Sequence, residues 1–409
     1  DDSSRRTLAP GLETILTGVT DIIVDREQED MWVTASLREA TFSLPWIGWS
    51  KGRGIPASVA FQLLDRGSQT TLDQFNFKGD GFGATGRIDV GTDGLNAARL
   101  RQVSLNPGDN FSVDLSREGE RFDIDVDGSL IDLRALMRHV RAQLQATGDP
   151  GDDTPVNIEA RFRTVAGFNG ETMRNVSASG RIRNGGIDSF SVTGVGASGM
   201  PFSVVINGQG AERRMRVEAF DAGEFLRFLD LYGQIQGGAL GLDLTAASNG
   251  DLRGPLEIRD FRIFNEPALD RLVSTRPDET GSLRDAINRD LDLREVPFDS
   301  GVADLVFGSG SLDVSQAYIR GPLVGFAMQG RVFDRNNQTR ITGTFLPAYG
   351  LNSIFAEIPL LGLLLGNGRD RGLIGVTFLL EGDFDQPRVT VNPLSVIAPG
   401  IFRNIFQFR

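Results

Sequence analysis

The chain has 409 residues, more than one hydrophobic core usually organises, and Gly fills 50 of them, well above common usage. Its 42 basic against 54 acidic residues give a net charge of −12, which excludes nucleic acid as a natural partner and disfavours anionic lipid as a bulk target. Cys is absent, so disulfides, thiolate nucleophiles and Cys-based metal sites are excluded together.

Ile22-Ile23-Val24 and Met31-Trp32-Val33 read as the first strands. Trp46 and Trp49 flank a Pro/Gly turn, where they either form an exposed contact site or, the stronger reading for Trp, pack the end of a sheet. Gly81-Phe82-Gly83-Ala84-Thr85-Gly86 matches a dinucleotide fingerprint in letters only. The next residues, Arg87 to Gly91, alternate like a strand and offer no helix N-terminus to a pyrophosphate.

Phe111–Leu115 and Phe122–Val126 form an expected antiparallel hairpin. Phe111, Val113, Leu115, Phe122, Ile124 and Val126 share one face, and Ser112, Asp114, Asp123 and Asp125 the other. Asp123 to Gly128 also matches the opening of a calcium loop, but Arg134 stands where a bidentate Glu is needed, so a polar strand face is the better reading. A helix is expected from Leu133 to about Leu144, with Leu133, Leu136, Met137, Val140 and Leu144 on its buried stripe. His139, the only histidine, falls off that stripe and reads as a solvated residue.

Residues 146–155 read as a loop, after which the plan is repeated. Phe202-Ser203-Val204 echoes Phe111-Ser112-Val113, and Met215 to Glu218 echoes Ile124 to Asp127. A helix with Phe225, Phe228, Leu229 and Tyr232 comes next, opened by the capping box Asp221 to Glu224. A looser third copy runs from Phe326 through the Arg335 to Gln338 turn and Ile341–Phe345 into a helix over 348–358. Between copies two and three, Pro267–Ser274 and Ser282–Asn288 read as short helices. The expected fold is mainly β: an elongated, curled antiparallel β-sheet groove built from repeated β-β-β-helix units, with short amphipathic helices. Its expected parts are 1–146 with the helix at 133–144, 155–220, and a C-terminal region with a groove end-cap at 221–409.

Two apolar stretches lie outside the repeat, Ile358–Leu365 and the tail after Asn392. Neither reaches the roughly 20 residues that cross a bilayer, so each is read as packing on its own domain or as touching a membrane or partner. The contact candidates are Leu360, Leu361, Leu363, Leu364, Ile401, Phe402, Ile405 and Phe406. No single pair stands out among the 54 acidic residues as an acid/base couple, and no catalytic residue, cofactor or metal is assigned.

Several motifs together resemble the AsmA-like family, specifically the C-terminal region of its YhdP-type branch. They are Asp221-Ala222-Gly223-Glu224-Phe225-Leu226 with Gly237-Gly238; Phe261-Arg262-Ile263 with Pro267-Ala268-Leu269; Pro347 to Ser353; Ile358 to Gly362; Gly375 to Phe378; and Pro387 to Ser395. Upstream of Asp221 the likeness is thinner, resting on Gly48 to Gly52 and Leu130 to Arg134. The resemblance implies a non-enzymatic periplasmic conduit, related to bridge-like lipid transfer proteins, that moves phospholipid between inner and outer membranes along an apolar β-groove. It also implies an inner-membrane anchor through a segment upstream of Asp1; the two apolar C-terminal stretches, as the groove end-cap, are the place expected to meet a membrane or a partner. The expected groove lining is Phe111, Val113, Leu115, Phe122, Ile124, Val126, Phe202, Val204, Ile206, Met215 and Val217. The alternative is a periplasmic scaffold or assembly factor that offers sheet edges to an outer-membrane protein partner.

Overall fold

A computed structural model describes residues 15–27, 30–67, 69–145, 154–183, 186–269, 294–322, 324–347, 376–384 and 386–392. The fold is mainly β, curled and antiparallel-dominated, with few helices, as the alternation predicts. The described residues form two compact units. The first runs to Gly199 and includes Ser203–Gln209; the second takes Met200–Phe202 and Gly210 onward.

The first unit opens with β1 (Leu16–Gly18), β2 (Asp21–Glu27), β3 (Asp30–Ser36), β4 (Ala40–Leu44) and β5 (Trp49–Lys51). Then come β6 (Ala57–Asp65), β7 (Gln69–Gly79), β8 (Gly83–Gly91), β9 (Gly94–Ser104), β10 (Asn110–Glu118) and β11 (Arg121–Asp132). Helix α1 (Arg134–Gln145) leads to β12 (Val156–Ala166), β13 (Thr172–Arg183) and β14 (Gly186–Gly196). Pairing follows chain order from β2 to β14, with one detour in which β4 and β5 leave to build a small sheet with β1. Every pair is antiparallel except β11 with β12, which α1 joins as a parallel crossover.

The small sheet covers one end of the large one, where Leu37, Trp49 and Phe77 are buried among Leu16, Phe42 and Leu44. Trp49 donates its indole N–H to the Leu105 carbonyl at 2.6 Å, while Trp46 is 58% exposed. The two tryptophans of one turn therefore have opposite fates. Beside them Lys51 is 1% exposed, its ammonium donating to the Leu37 and Ala40 carbonyls. Burial lowers its pKa, and the Glu39 carboxylate partly offsets that.

β15 (Pro201–Asn207) divides between the units, and the second continues with β16 (Arg214–Ala219), helix α2 (Ala222–Phe228), β17 (Ile235–Ala246) and β18 (Leu252–Phe264). It ends with β19 (Glu295–Gly308), β20 (Ser311–Arg320), β21 (Val324–Phe333), β22 (Gln338–Pro347), β23 (Val376–Asp383) and β24 (Arg388–Asn392). β16 to β24 pair in chain order, each antiparallel to the next. Their core gathers Ile235, Phe261, Leu269, Val296, Phe298, Val324, Phe345 and Phe378. Helix α1 follows an unbroken run of strands and α2 follows the five strands β12 to β16, whereas the helical segment 267–269 follows only β17 and β18.

Three local expectations are corrected. His139 is half-buried rather than solvated, because α1 lies against Gly48: a Cβ there would come within 2.7 Å of the His139 Cβ. Val140, expected on the buried stripe, is 47% exposed, while Leu133, Leu136 and Met137 of that stripe are half-buried and Ala135 and His139 lie against the turn that Gly48 closes. The second helix ends at Phe228, and Tyr232 lies beyond it, donating its hydroxyl to Glu266 at 2.5 Å. Of the short helices at Pro267–Ser274 and Ser282–Asn288, only the helical 267–269 is described. The helix over 348–358, the run Ile358–Leu365 and the tail after Asn392 lie outside the described residues, as do the contact candidates Leu360, Leu361, Leu363, Leu364, Ile401, Phe402, Ile405 and Phe406.

Candidate functional site

The hairpin β10–β11 pairs Val113 with Val126 and Leu115 with Ile124, setting the expected apolar residues opposite each other on one face. Residues opposed across a ladder share a side, so the register can be followed from strand to strand. Leftward from Leu115, the row passes Ala98, Ile88, Leu72 and Leu63 to Met31 on β3. Rightward from Ile124 it passes Ile158 and Gly180 to Phe190 on β14. A neighbouring row holds Val113, Val126, Ala160, Ala178 and Val192. The apolar face therefore extends unbroken across ten paired strands, from β3 to β14 with β4 and β5 left aside.

Bulges keep it continuous, two of them on β7 and β9. Gln74 and Gln102 have positive φ, 48° and 52°, at breaks in the β7 and β9 registers. Each inserts one residue, so that Phe75 and Phe77 return to the face of Leu72, and Val103 to that of Leu100; each also bends its strand.

Among the predicted lining residues of this unit, Phe111 is 7% exposed and packs edge-to-face on Phe162 at 6.0 Å across Gly128. Val113, Leu115, Phe122, Ile124 and Val126 are half-buried, as are Val204 and Ile206 on β15. The Arg117 guanidinium lies 5.6 Å over the Phe122 ring and closes one end of the face with a cation. Ile158, Phe162, Phe190 and Val192 belong to the same face and were not among the predicted residues, although Val156 to Phe162 alternates in the same way.

The opposite face is ionic. Asp123 accepts from Arg121 and from Asn157 at 2.7 Å, and these bonds hold its carboxyl below the usual range. Arg101 binds Asp114 at 2.9 Å, and Arg87 binds Asp89 at 3.2 Å. The calcium-loop letters of Asp123 to Gly128 are thus part of strand β11. A cavity of about 330 Å3 is lined by residues of both kinds, among them Asp123, Asp125, Asn157 and Arg181 together with Ile124 and Ile158. The glycine-rich fingerprint opens strand β8 at Gly83, leaving no helix to face a phosphate. Among the described residues no three His, Asp or Glu side chains converge as a metal site.

In the second unit Met215 and Val217 oppose Leu244 and Leu242, and Val217 is 4% exposed. Phe202 lies 5.6 Å from Phe225 of α2. This unit has apolar rows of its own, for instance from Ile258 through Gly301 and Ile319 to Phe326 and Phe345. Here the chain covers part of the face itself: Phe298, Phe326, Phe345 and Phe378 pack ring to ring at 5.3 to 6.4 Å. Beyond that aromatic cluster, Leu242, Leu256, Ala303 and Met328 stay half-buried.

Compared with protein-family models, curated proteins and solved structures, the chain matches none. The two-faced sheet and the motifs that resemble the AsmA-like family therefore carry the functional reading.

Proposed function

We propose that this chain is a non-enzymatic periplasmic conduit that holds phospholipid acyl chains against its apolar sheet face and passes them between the inner and outer membranes. The observation that carries this reading is the row from Met31 to Phe190, apolar at each ladder step apart from Gly180 and half-buried along most of its length. A sheet with one wet and one apolar face must cover the apolar side with a second layer or a ligand. Acyl chains suit such a surface because they are held by apolar area rather than by directed hydrogen bonds. The membrane-facing role of the C-terminal stretches, argued from their apolar sequence, and the inner-membrane anchor, argued from the resemblance to AsmA-like proteins, belong to the same proposal.

The test is lipid extraction and native mass spectrometry of the purified chain. Phospholipid should co-purify, and Ile124→Asp with Ile158→Asp, opposite each other on β11 and β12, should reduce its amount several-fold without changing the circular dichroism spectrum. Lipid retained in full by the folded double variant would sink the assignment of this face.

A second reading, the scaffold for outer-membrane proteins, is favoured by one specific feature. Among the described residues β2 pairs only with β3, and its Ile22, Ile23 and Val24 are 62%, 60% and 56% exposed. An apolar edge of that kind is a template for another strand. Photocrosslinks from position 23 to polypeptide, with no lipid bound by the chain, would favour it.

A further inference from the structure

Among the described residues β2 has a partner on one side only, β3, and β24 likewise pairs with β23 alone. On β2, Ile22 and Val24 stand opposite Ala35 and Val33 and belong to the apolar face, while Ile23 and Asp25 alternate onto the other side. β24 is divided in the same way. Val389 and Val391 stand opposite Leu380 and Phe378 and pack against the core of the second unit, whereas Arg388 and Thr390 alternate with them and are exposed. Neither Asp25 nor Arg388 is engaged in an ion pair among the described residues.

We infer that β2 of one copy of this chain pairs antiparallel with β24 of a second copy, joining the two sheets edge to edge. One register suits both faces at once. It sets Val391 opposite Ile22 and Val389 opposite Val24 on the apolar side, with Thr390 opposite Ile23 and Arg388 opposite Asp25 on the other. Asp25 then meets a guanidinium, and the exposed Ile22, Ile23 and Val24 gain a neighbour that also supplies ladder bonds to their backbone. Pairing of β2 with β2 of another copy is disfavoured: centred on Ile23 or Val24, it sets Asp21 against Asp25 or Glu27, like charges that repel. The acidic edge thus selects the edge that carries the arginine. A contact between two different edges is heterologous, so each added copy leaves one edge of each kind open to the next. The inference uses the edge on which the scaffold reading rests, assigns it to a second copy of this chain, and requires no lipid.

The chain has no Cys, so single introduced cysteines report the contact. Chains carrying Ile23→Cys and chains carrying Thr390→Cys, both at exposed positions, are mixed and oxidised with copper phenanthroline. Residues opposed in an antiparallel ladder are close enough for a disulfide. On a non-reducing gel the mixture should give several-fold more linked dimer than either variant alone, and an equal yield overturns the inference. In sedimentation velocity the wild type should form oligomers that grow with concentration. Asp25→Arg and, separately, Arg388→Asp should weaken that association several-fold, and the two substitutions together should restore it, with circular dichroism unchanged throughout. A wild type that stays monomeric at every concentration, or a double variant no better than the single ones, overturns the pairing. Crosslinks from position 23 of a monomeric chain to another polypeptide overturn it in favour of the scaffold reading. Lipid in the groove is read separately, as phospholipid that co-purifies, so failure here is distinguishable from failure of the conduit.

Discussion

Asp132 stands where β11 hands over to α1, and its carboxylate accepts from both the Arg134 guanidinium and the Arg134 backbone N–H, the latter at 3.0 Å. The guanidinium hydrogen bond holds its pKa below the ordinary value, against the opposing effect of burial. A carboxyl depressed on folding stabilises the fold fully above its unfolded pKa, about 3.9, and loses that contribution as the pH falls through the folded value. Asp132→Asn should therefore cost about 1 kcal/mol near neutral pH in urea denaturation. The difference from wild type should shrink steadily below about pH 3.9, and a difference independent of pH would refute the ion-pair account. Gly128 is constrained by volume instead: a Cβ would stand 2.5 Å from the Phe111 Cβ and 2.8 Å from the Asn110 carbonyl oxygen. Gly128→Ala should lower stability by about 1–3 kcal/mol in a thermal melt, whereas Gly241→Ala, with open space at its Cβ, should be nearly silent. Phe111 was legible from its alternating neighbours. Lys51 was not, because a lysine next to Gly52 reads as solvated until the turn at Leu37–Ala40 is seen to wrap its ammonium in carbonyls.

At the scale of elements, α2 is too short to be stable by propensity and persists through its cap and its buried side. Asp221 accepts from the Glu224 N–H at 2.9 Å, and Ala222, Phe225 and Phe228 are buried. Asp221→Ala should cost about 1 kcal/mol, read as a lowered urea midpoint with unchanged slope. That helix start was legible because a capping box is a local signal. Its end was not, since Tyr232 continues the helical spacing yet leaves the helix to bond Glu266 across the unit. The strands were legible wherever apolar and polar residues alternate, but the parallel joint between β11 and β12 was hidden: alternation gives the face of a strand and says nothing of its direction. For α1 the apolar stripe placed Val140 on the buried side, whereas Val140 is exposed and Ala135 and His139 are the residues that lie against Gly48.

At the scale of the whole molecule, what alternation made legible is the division of labour between the two sides of the sheet in each unit. The ionic side contributes little to stability, since pairs such as Arg101–Asp114 and Arg216–Asp243 are well exposed. Stability resides in apolar rows and ladder bonds, which is why strand pairing in chain order has a consequence for how the protein is made. From β6 to β14, and again from β16 to β24, each strand pairs with the next one in sequence. Apart from the longer connections before β12, β19 and β23, contacts of that kind close short loops and need no distant segment to be present. A ribosome that has released β6 and β7 has already supplied both halves of a ladder, and each later hairpin can be laid on the last as it emerges. The growing edge itself serves as the template, so the protein can be assembled in the order in which it is read.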